Sequence, residues 1–399
     1  NGLGKPTSVT DPLGRVSTVS YDVATNTDPI TLQQKTSASG FSTTGVFGNY
    51  TAHLPTSFTD AAGKVWRNAY NAAGQLIYAT NPLNQTRFWE YDASGRMTRA
   101  TVPVAVAYAS VVYGTTNVSA ATETSWNYTA ACSGVTAPAN TNLPISVTDS
   151  QGYVLCYQYD NLDRVVKVKY MDGTTEQYSY AFPVGWTANG INYGGTQSLD
   201  VWQVTDRQGR VTTYTFDRNR RMTAKTEPVT VAGVATTRTT NYSYYADGTL
   251  KELTDANGNV THWEIDIQSR SVSKTYAYGT ANAKTESYTY DLAGRLKTTT
   301  DAKGQVLTLV RNKDDSIASY AYTNATIATP GASFTYDPWY PRRTGMVDQF
   351  GTTSWTYRAV ATNGALNLQT ENGPFNNDSL TLAYDNAGRG NSRTVSGTA

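Results

Sequence analysis

Two short phrases recur along this chain and constrain its fold more than any other feature. Thr-Asp-x-x-Gly is followed eleven residues later by Tyr-Asp-x-x-Gly-Arg, as when Thr59-Asp60-Ala61-Ala62-Gly63-Lys64 leads to Tyr70-Asn71-Ala72-Ala73-Gly74-Gln75. Thr10-Asp11 leads in the same way to Tyr21-Asp22, Thr80-Asn81 to Tyr91-Asp92, Thr148-Asp149 to Tyr159-Asp160, Thr205-Asp206 to Phe216-Asp217, and Thr254-Asp255 to Ile265-Asp266. Stacked repeats contact mainly their neighbours, so a chain written this way makes an extended surface or a container more readily than one catalytic pocket.

The residues between the phrases alternate with period two. In Val65-Trp66-Arg67-Asn68-Ala69-Tyr70, one set is Trp66, Asn68 and Tyr70, and the same places hold Trp89 with Tyr91 and Tyr214 with Phe216. That is the period of a strand, not of a helix. Tyr21, Tyr70, Tyr91, Tyr159, Phe216, Tyr290 and Tyr384 are therefore expected on a packing face of the sheet. The Asp-x-x-Gly segments between the strands read as turns, because Asp bonds its own backbone two residues on and Gly accepts positive φ. Gly14, Gly63, Gly95, Gly209, Gly258, Gly294 and Gly304 are the expected turn glycines. Asp172-Gly173 and Asp247-Gly248 read as a second turn type, the two-residue hairpin. One hairpin cannot bury an aromatic face alone, whereas stacked hairpins seal one another's edges. The expected fold is all-β: repetitive antiparallel hairpins in a continuous sheet.

Composition narrows the function. The 399 residues carry 32 Lys+Arg against 31 Asp+Glu, so no electrostatic attraction to nucleic acid is expected. No apolar run approaches the length of a membrane-spanning helix. The length gives room for a large core. Because the chain opens on Asn1 and enters a repeat almost at once, it reads as a segment of a longer array.

Candidate chemistry is sparse. His53 and His262 are the only histidines, and with Cys132 and Cys156 they form no zinc-type spacing, so no metal, cofactor or catalytic site is expected. The recurring Asp residues invite a carboxylate-pair reading or a calcium-turn reading. Their regular place in turns already explains them. Cys132 and Cys156 leave two readings open, a disulfide in an oxidising compartment or two separate thiols. Trp186, Trp339 and Tyr340 lie where the repeat is interrupted, so they are the candidate ligand-contact residues, with a glycan as the suited ligand.

The run Tyr91-Asp92-Ala93-Ser94-Gly95-Arg96, the run Tyr290-Asp291-Leu292-Ala293-Gly294-Arg295-Leu296, the segment Tyr384 to Arg389, and Tyr159-Asp160 with Tyr170-Met171-Asp172-Gly173-Thr174 and Tyr178-Ser179-Tyr180 resemble the RHS/YD-repeat family over most of the chain. The resemblance implies a long sheet of hairpins spiralling into a hollow shell. In bacterial polymorphic toxins and toxin-complex cocoon subunits of that family the shell encloses a toxic domain, and in teneurins it serves adhesion. Family toxins close the shell with paired Asp-Pro-x-Gly phrases used in self-cleavage. Here Asp11-Pro12-Leu13-Gly14 stands alone, while Asp28-Pro29 and Asp337-Pro338 lack the Gly, so neither a protease core nor a toxin domain is expected in this segment.

The expected organisation is a single array over 1–399, with insertions at about 101–143, 181–200 and 323–347 and a weakly patterned piece at about 25–50. Arg311-Asn312-Lys313-Asp314 reads as a degraded copy. The resemblance implies a non-enzymatic structural module, secreted or at the cell surface, with an enclosed toxin or cargo outside this segment as its partner. Two other readings compete: a carbohydrate-binding adhesion module, and a filament that self-associates through open strand edges.

Overall fold

The computed structural model describes residues 1–105, 121–182, 187–188, 191–192 and 198–396. Among the described residues there is no helix, and hence none long and apolar enough to cross a membrane. The chain is all-β, a succession of antiparallel strands joined by short turns. It forms two compact units, one of residues 1–121 with 305–399 and one of residues 122–304.

In the first unit, Val65–Tyr70 pairs with Leu76–Thr80, which pairs with Gln85–Tyr91. The later stretch follows the same pattern through Val306–Arg311, Ile317–Thr323, Ala332–Tyr336 and Arg343–Asp348. In the second unit the succession runs from Thr122–Asn127 to Leu296–Thr300, and includes one long hairpin made by Met222–Val231 and Val234–Tyr244.

Each pair of strands alternates between two kinds of end. At the Thr-Asp end the register runs unbroken into the turn, as at Thr59↔Val65 and Thr254↔Val260. At the Tyr-Asp end it slips by one residue. Ala69 faces Tyr78, but Tyr70 faces Leu76. The same slip occurs at Tyr91, Tyr159, Phe216, Ile265, Tyr290, Tyr336, Tyr357 and Tyr384. This is a β-bulge, with the extra residue on the strand that follows the turn, and it adds local twist once per unit.

Two expectations are corrected by the structure. The Asp172-Gly173 and Asp247-Gly248 turns are not two-residue hairpins. The Gly173 N–H bonds the Tyr170 carbonyl and the Tyr170 N–H bonds the Thr174 carbonyl, the same pattern as in every Asp-x-x-Gly turn. Only the glycine has positive φ, whereas the two-residue type I′ turn needs it at both central positions. The stretches 25–50 and 323–347 both contain paired strands. Pro29–Lys35 pairs with Phe41–Thr51, and Ala332–Tyr336 with Arg343–Asp348. In the second case the turn Asp337-Pro338-Trp339-Tyr340-Pro341-Arg342 is one residue longer than the rule, which hides the Tyr-Asp phrase.

Finally, the described residues form no large apolar core. The buried apolar side chains among the described residues are few, and the cluster at Ile77 and Tyr78 is lined by Ala69, Phe88 and Tyr91. A hairpin sheet with no helical layer leaves most side chains half-covered, so polar pairs carry more of the load. Thr80 and Thr86, both buried, bond through their hydroxyls at 2.7 Å, and the Thr101 hydroxyl accepts the Phe88 N–H.

Candidate functional site

Among the described residues no group of three His, Cys, Asp or Glu is arranged to hold a metal. His53 sits 3.0 Å from Asp28. His262 is buried between Glu252 at 3.1 Å and Glu264 at 2.8 Å, beneath the stacked ring of Tyr278. A groove of 820 Å³ lies beside the long hairpin, lined in part by Lys225, Glu227, Arg238, Tyr242 and Asp255. Its Glu227 is bridged by both Lys225 and Arg238. The arrangement that recurs is the repeat phrase itself, and each of its residues has a separate physical task.

Asp opens the turn. Asp92 Oδ1 accepts the backbone N–H of Ser94 at 2.9 Å and of Arg96 at 3.0 Å, while Oδ2 takes the Arg96 Nε–H at 2.7 Å. Asp206, Asp266, Asp291 and Asp385 repeat the arrangement with Arg210, Arg270, Arg295 and Arg389. Gly14, Gly63, Gly95, Gly209, Gly258, Gly294 and Gly304 all hold positive φ, between 74° and 86°. Where glycine is replaced, Asn84, Asp163, Arg220, Ser269 and Asp315 adopt the same left-handed conformation. Turn geometry therefore survives in copies whose sequence has drifted.

Tyrosine joins one unit to the previous one. A bulge leaves the start of its strand imperfectly paired, and the hydroxyl of the next unit's Tyr donates to the carbonyl at that point. Tyr91 donates to Leu76, Tyr244 to Met222, Tyr290 to Ser271, Tyr336 to Ile317, Tyr357 to Arg343 and Tyr384 to Leu368, over 2.6 to 3.0 Å. Each acceptor is the first residue of a bulged strand. Tyr21, Tyr70 and Tyr159 donate instead to the carbonyls of Pro6, Pro55 and Pro144, whose acceptor is free to receive although proline has no N–H. Phe216 sits at a bulge but has no hydroxyl to give.

Arginine reinforces the same link. With Nε held by its own Asp, the guanidinium plane of Arg270 lies 4.4 Å from the Tyr290 ring, that of Arg221 4.9 Å from Tyr244, and that of Arg342 4.1 Å from Tyr357. The Arg of one unit thus stacks on the Tyr of the next, a geometry lysine does not reproduce. Tyr290→Phe is expected to lower stability by about 1 kcal/mol, the net worth of one hydrogen bond, with the bulge carbonyl of Ser271 left to water. Unchanged urea unfolding of that variant would remove the tyrosine link from the account.

The hydrogen bond from Arg96 holds the Asp92 carboxyl below its usual value, with the Arg96 backbone N–H adding to it. Arg270 and Arg295 do the same for Asp266 and Asp291. Because the folded values are depressed, the stabilisation is complete above the unfolded carboxylate value of roughly 3.9 and is lost as pH falls through the lower folded value. Asp92→Asn keeps an Oδ1 acceptor, as Asn71 and Asn81 show in their own turns, but gives up the charge. Its deficit against the parent protein is expected at neutral pH and to vanish under acid. Paired denaturation curves from pH 7 to pH 2 measure it, and a deficit that stays constant across the range contradicts the assignment.

Of the candidate ligand-contact residues, Trp186 lies outside the described residues. Trp339 and Tyr340 are half-buried in the long turn. Lys35 lies over the Trp339 ring at 5.8 Å, and Arg342 over the Tyr340 ring at 4.3 Å. Their backbone carbonyls are taken as well, Trp339 by Gln34 and Tyr340 by Arg15. Cys132 and Cys156 are joined as a disulfide, with Cα atoms 6.2 Å apart. Sequence reasoning missed Arg15, one of the few buried charged residues. The signal open to it was only that Arg15 completes an Asp-x-x-Gly-Arg phrase.

These features define a class: a β-hairpin repeat protein whose units are coupled at most bulges by a Tyr hydroxyl, reinforced in several copies by an Arg plane. The RHS Repeat family matches residues 70–106 and 203–232. The fold is that of the crystal structure of TcdB2-TccC3-Cdc42, at a TM-score of 0.67 and 13% identity over 96% of this chain and 22% of that one. It is likewise that of the TcdB2-TccC3 crystal structure, at 0.66 and 12% with the same coverage. A Tc holotoxin pore of Photorhabdus luminescens matches at 0.62 and 14%, over 96% of this chain and 19% of that one. This chain therefore spans about a fifth of the length of those structures. No curated protein sequence matches it. Residues 70–106 and 203–232 thus carry RHS repeats, within a fold shared with those structures.

Proposed function

We propose that this chain is a non-enzymatic wall segment of a secreted RHS/YD-repeat protein, and that the wall encloses a cargo polypeptide carried outside these residues. The observation that carries the reading is the coupling at successive bulges. Hydroxyl bonds and arginine stacks make each unit depend on the one before, as suits a barrier and is more than a set of independent binding loops requires. The similarity in fold to TcdB2-TccC3 assemblies supports a role beside a toxin or cargo domain. The Cys132–Cys156 bond suits an oxidising, extracytoplasmic setting.

Protease protection of the natural gene product tests this reading. The protein, with all its native flanking sequence, is treated with trypsin before and after denaturation. A polypeptide from outside residues 1–399 is expected to survive in the native sample and to be digested in the denatured one. Digestion of all flanking sequence at equal rates in both samples overturns cargo enclosure.

A further inference from the structure

In the first unit, two turns and one strand end of the early stretch meet three turns of the late stretch. Arg15 in the turn Asp11–Arg15 is 6% exposed and has three partners: Asp11 through Nε at 2.5 Å, Asp314 through Nη2 at 2.5 Å, and the Tyr340 carbonyl through Nη1 at 3.3 Å. Asp314 is 299 positions away in sequence, and its side chain is only 11% exposed. Gln34 donates to the Trp339 carbonyl at 2.8 Å while Lys35 lies over the Trp339 ring. The Ala361 N–H bonds the Ala61 carbonyl at 2.8 Å.

The late partners share a sequence property. Each lies in a turn that departs from Asp-x-x-Gly-Arg: Asn312-Lys313-Asp314-Asp315-Ser316, the lengthened turn of residues 337–342, and the long loop of residues 358–367. In the first of these the turn bonds persist, with Asn312 opening the turn and Asp315 at positive φ in the glycine place. With Ser316 in the arginine place, Asp314 Oδ1 accepts the Ser316 hydroxyl at 2.6 Å and its N–H at 3.2 Å, which leaves Oδ2 to reach a foreign arginine. A regular copy would spend its carboxylate on its own Arg, as Asp92 does on Arg96.

We propose that these three irregular turns are a seam, that their departures from the repeat specify it, and that Arg15 is its positioning residue, clasping residues 312–342 to the first hairpin. The partner surface is the chain's own early turns and the end of Pro29–Lys35, recognised by a buried guanidinium shared between a local and a distant carboxylate. A buried charge that loses one of its partners is left uncompensated, so the seam responds strongly to either end of the clasp.

Amide hydrogen exchange on the full chain tests this. Arg15→Met is expected to speed exchange about tenfold or more in the turns at 312–316 and 337–342 as well as in its own turn, with the turn at 266–270 unchanged. Asp314→Asn, which leaves the Arg15–Asp11 pair in place, is expected to speed exchange at 11–15. The comparison variant is Arg270→Met, which breaks an ordinary pair within one turn and should act only there and on the stacked Tyr290 strand. If Arg15→Met acts only on residues 11–15, the pair is local and the seam is overturned. Should that variant fail to fold, Asp314→Asn decides alone, and no effect at 11–15 overturns the proposal.

Discussion

Replacing Cys132 and Cys156 together by alanine is expected to lower stability by about 3 kcal/mol, from the loop entropy released when a bridge across 24 residues is lost. The bond ties a strandless segment to a buried position in a strand. Cys156 is buried in the strand Val154–Tyr159, whereas residues 128–145 rise from the end of Thr122–Asn127 and carry no strand of their own. Exposed polar ties also reach the segment, Lys169 to the Ser133 carbonyl at 2.6 Å, Lys167 to that of Gly134 at 3.0 Å and Asn140 to Asp163 at 2.7 Å, while its far end is held by buried Ile145 and by the Tyr159 hydroxyl on the Pro144 carbonyl. The exposed ties contribute a few tenths of a kcal/mol each and weaken with salt. Urea unfolding of the oxidised protein, the reduced protein and the double alanine variant measures the effect. Reduced and variant proteins should agree, and both should become sensitive to protease at 128–145. Equal midpoints for all three would mean that the bond constrains nothing in the unfolded chain.

The second large effect is expected at Gly364. Its φ is 69°, and an added Cβ would lie 2.3 Å from Cγ of Tyr384. That ring cannot swing aside freely, because its hydroxyl donates to the Leu368 carbonyl at 2.8 Å. Gly364→Ala therefore combines left-handed backbone strain with overpacking, together about 3 kcal/mol. Gly209→Ala is the internal comparison. Gly209 has φ 76° and open space where a Cβ would go, so only the backbone cost remains, about 1 kcal/mol. The difference between the two variants in one denaturation series isolates the collision. Equal losses would place Tyr384 elsewhere.

These two glycines mark the limit of what is legible in a sequence of this kind. Gly209 is visible because Asp206 precedes it by three residues, and the Asp turn has a local cause. Gly364 belongs to no phrase. Its constraint comes from a ring 20 residues on that the hairpin folds back against it. The tyrosines divide in the same way. Period two places Tyr290 on a strand face, but its use as a donor to Ser271 depends on the bulge, and a one-residue slip leaves no mark in alternation. The Asp-Gly turns at 172–173 and 247–248 were misread because the dipeptide resembles a two-residue hairpin, while the flanking strands impose the longer loop of their neighbours.

By itself the sequence determined the all-β hairpin architecture and the turn at each repeat phrase, since both follow from interactions within about twenty residues: alternation, Asp-capped turns and glycine at positive φ. The tertiary structure alone decided which carbonyl each tyrosine caps, how little apolar surface is buried, and that Arg15 meets Asp314 across 299 positions. The physical reason is range. Turn chemistry is written in adjacent residues, whereas the partners of a bulge or a seam are set by accumulated twist and register, which no single unit encodes.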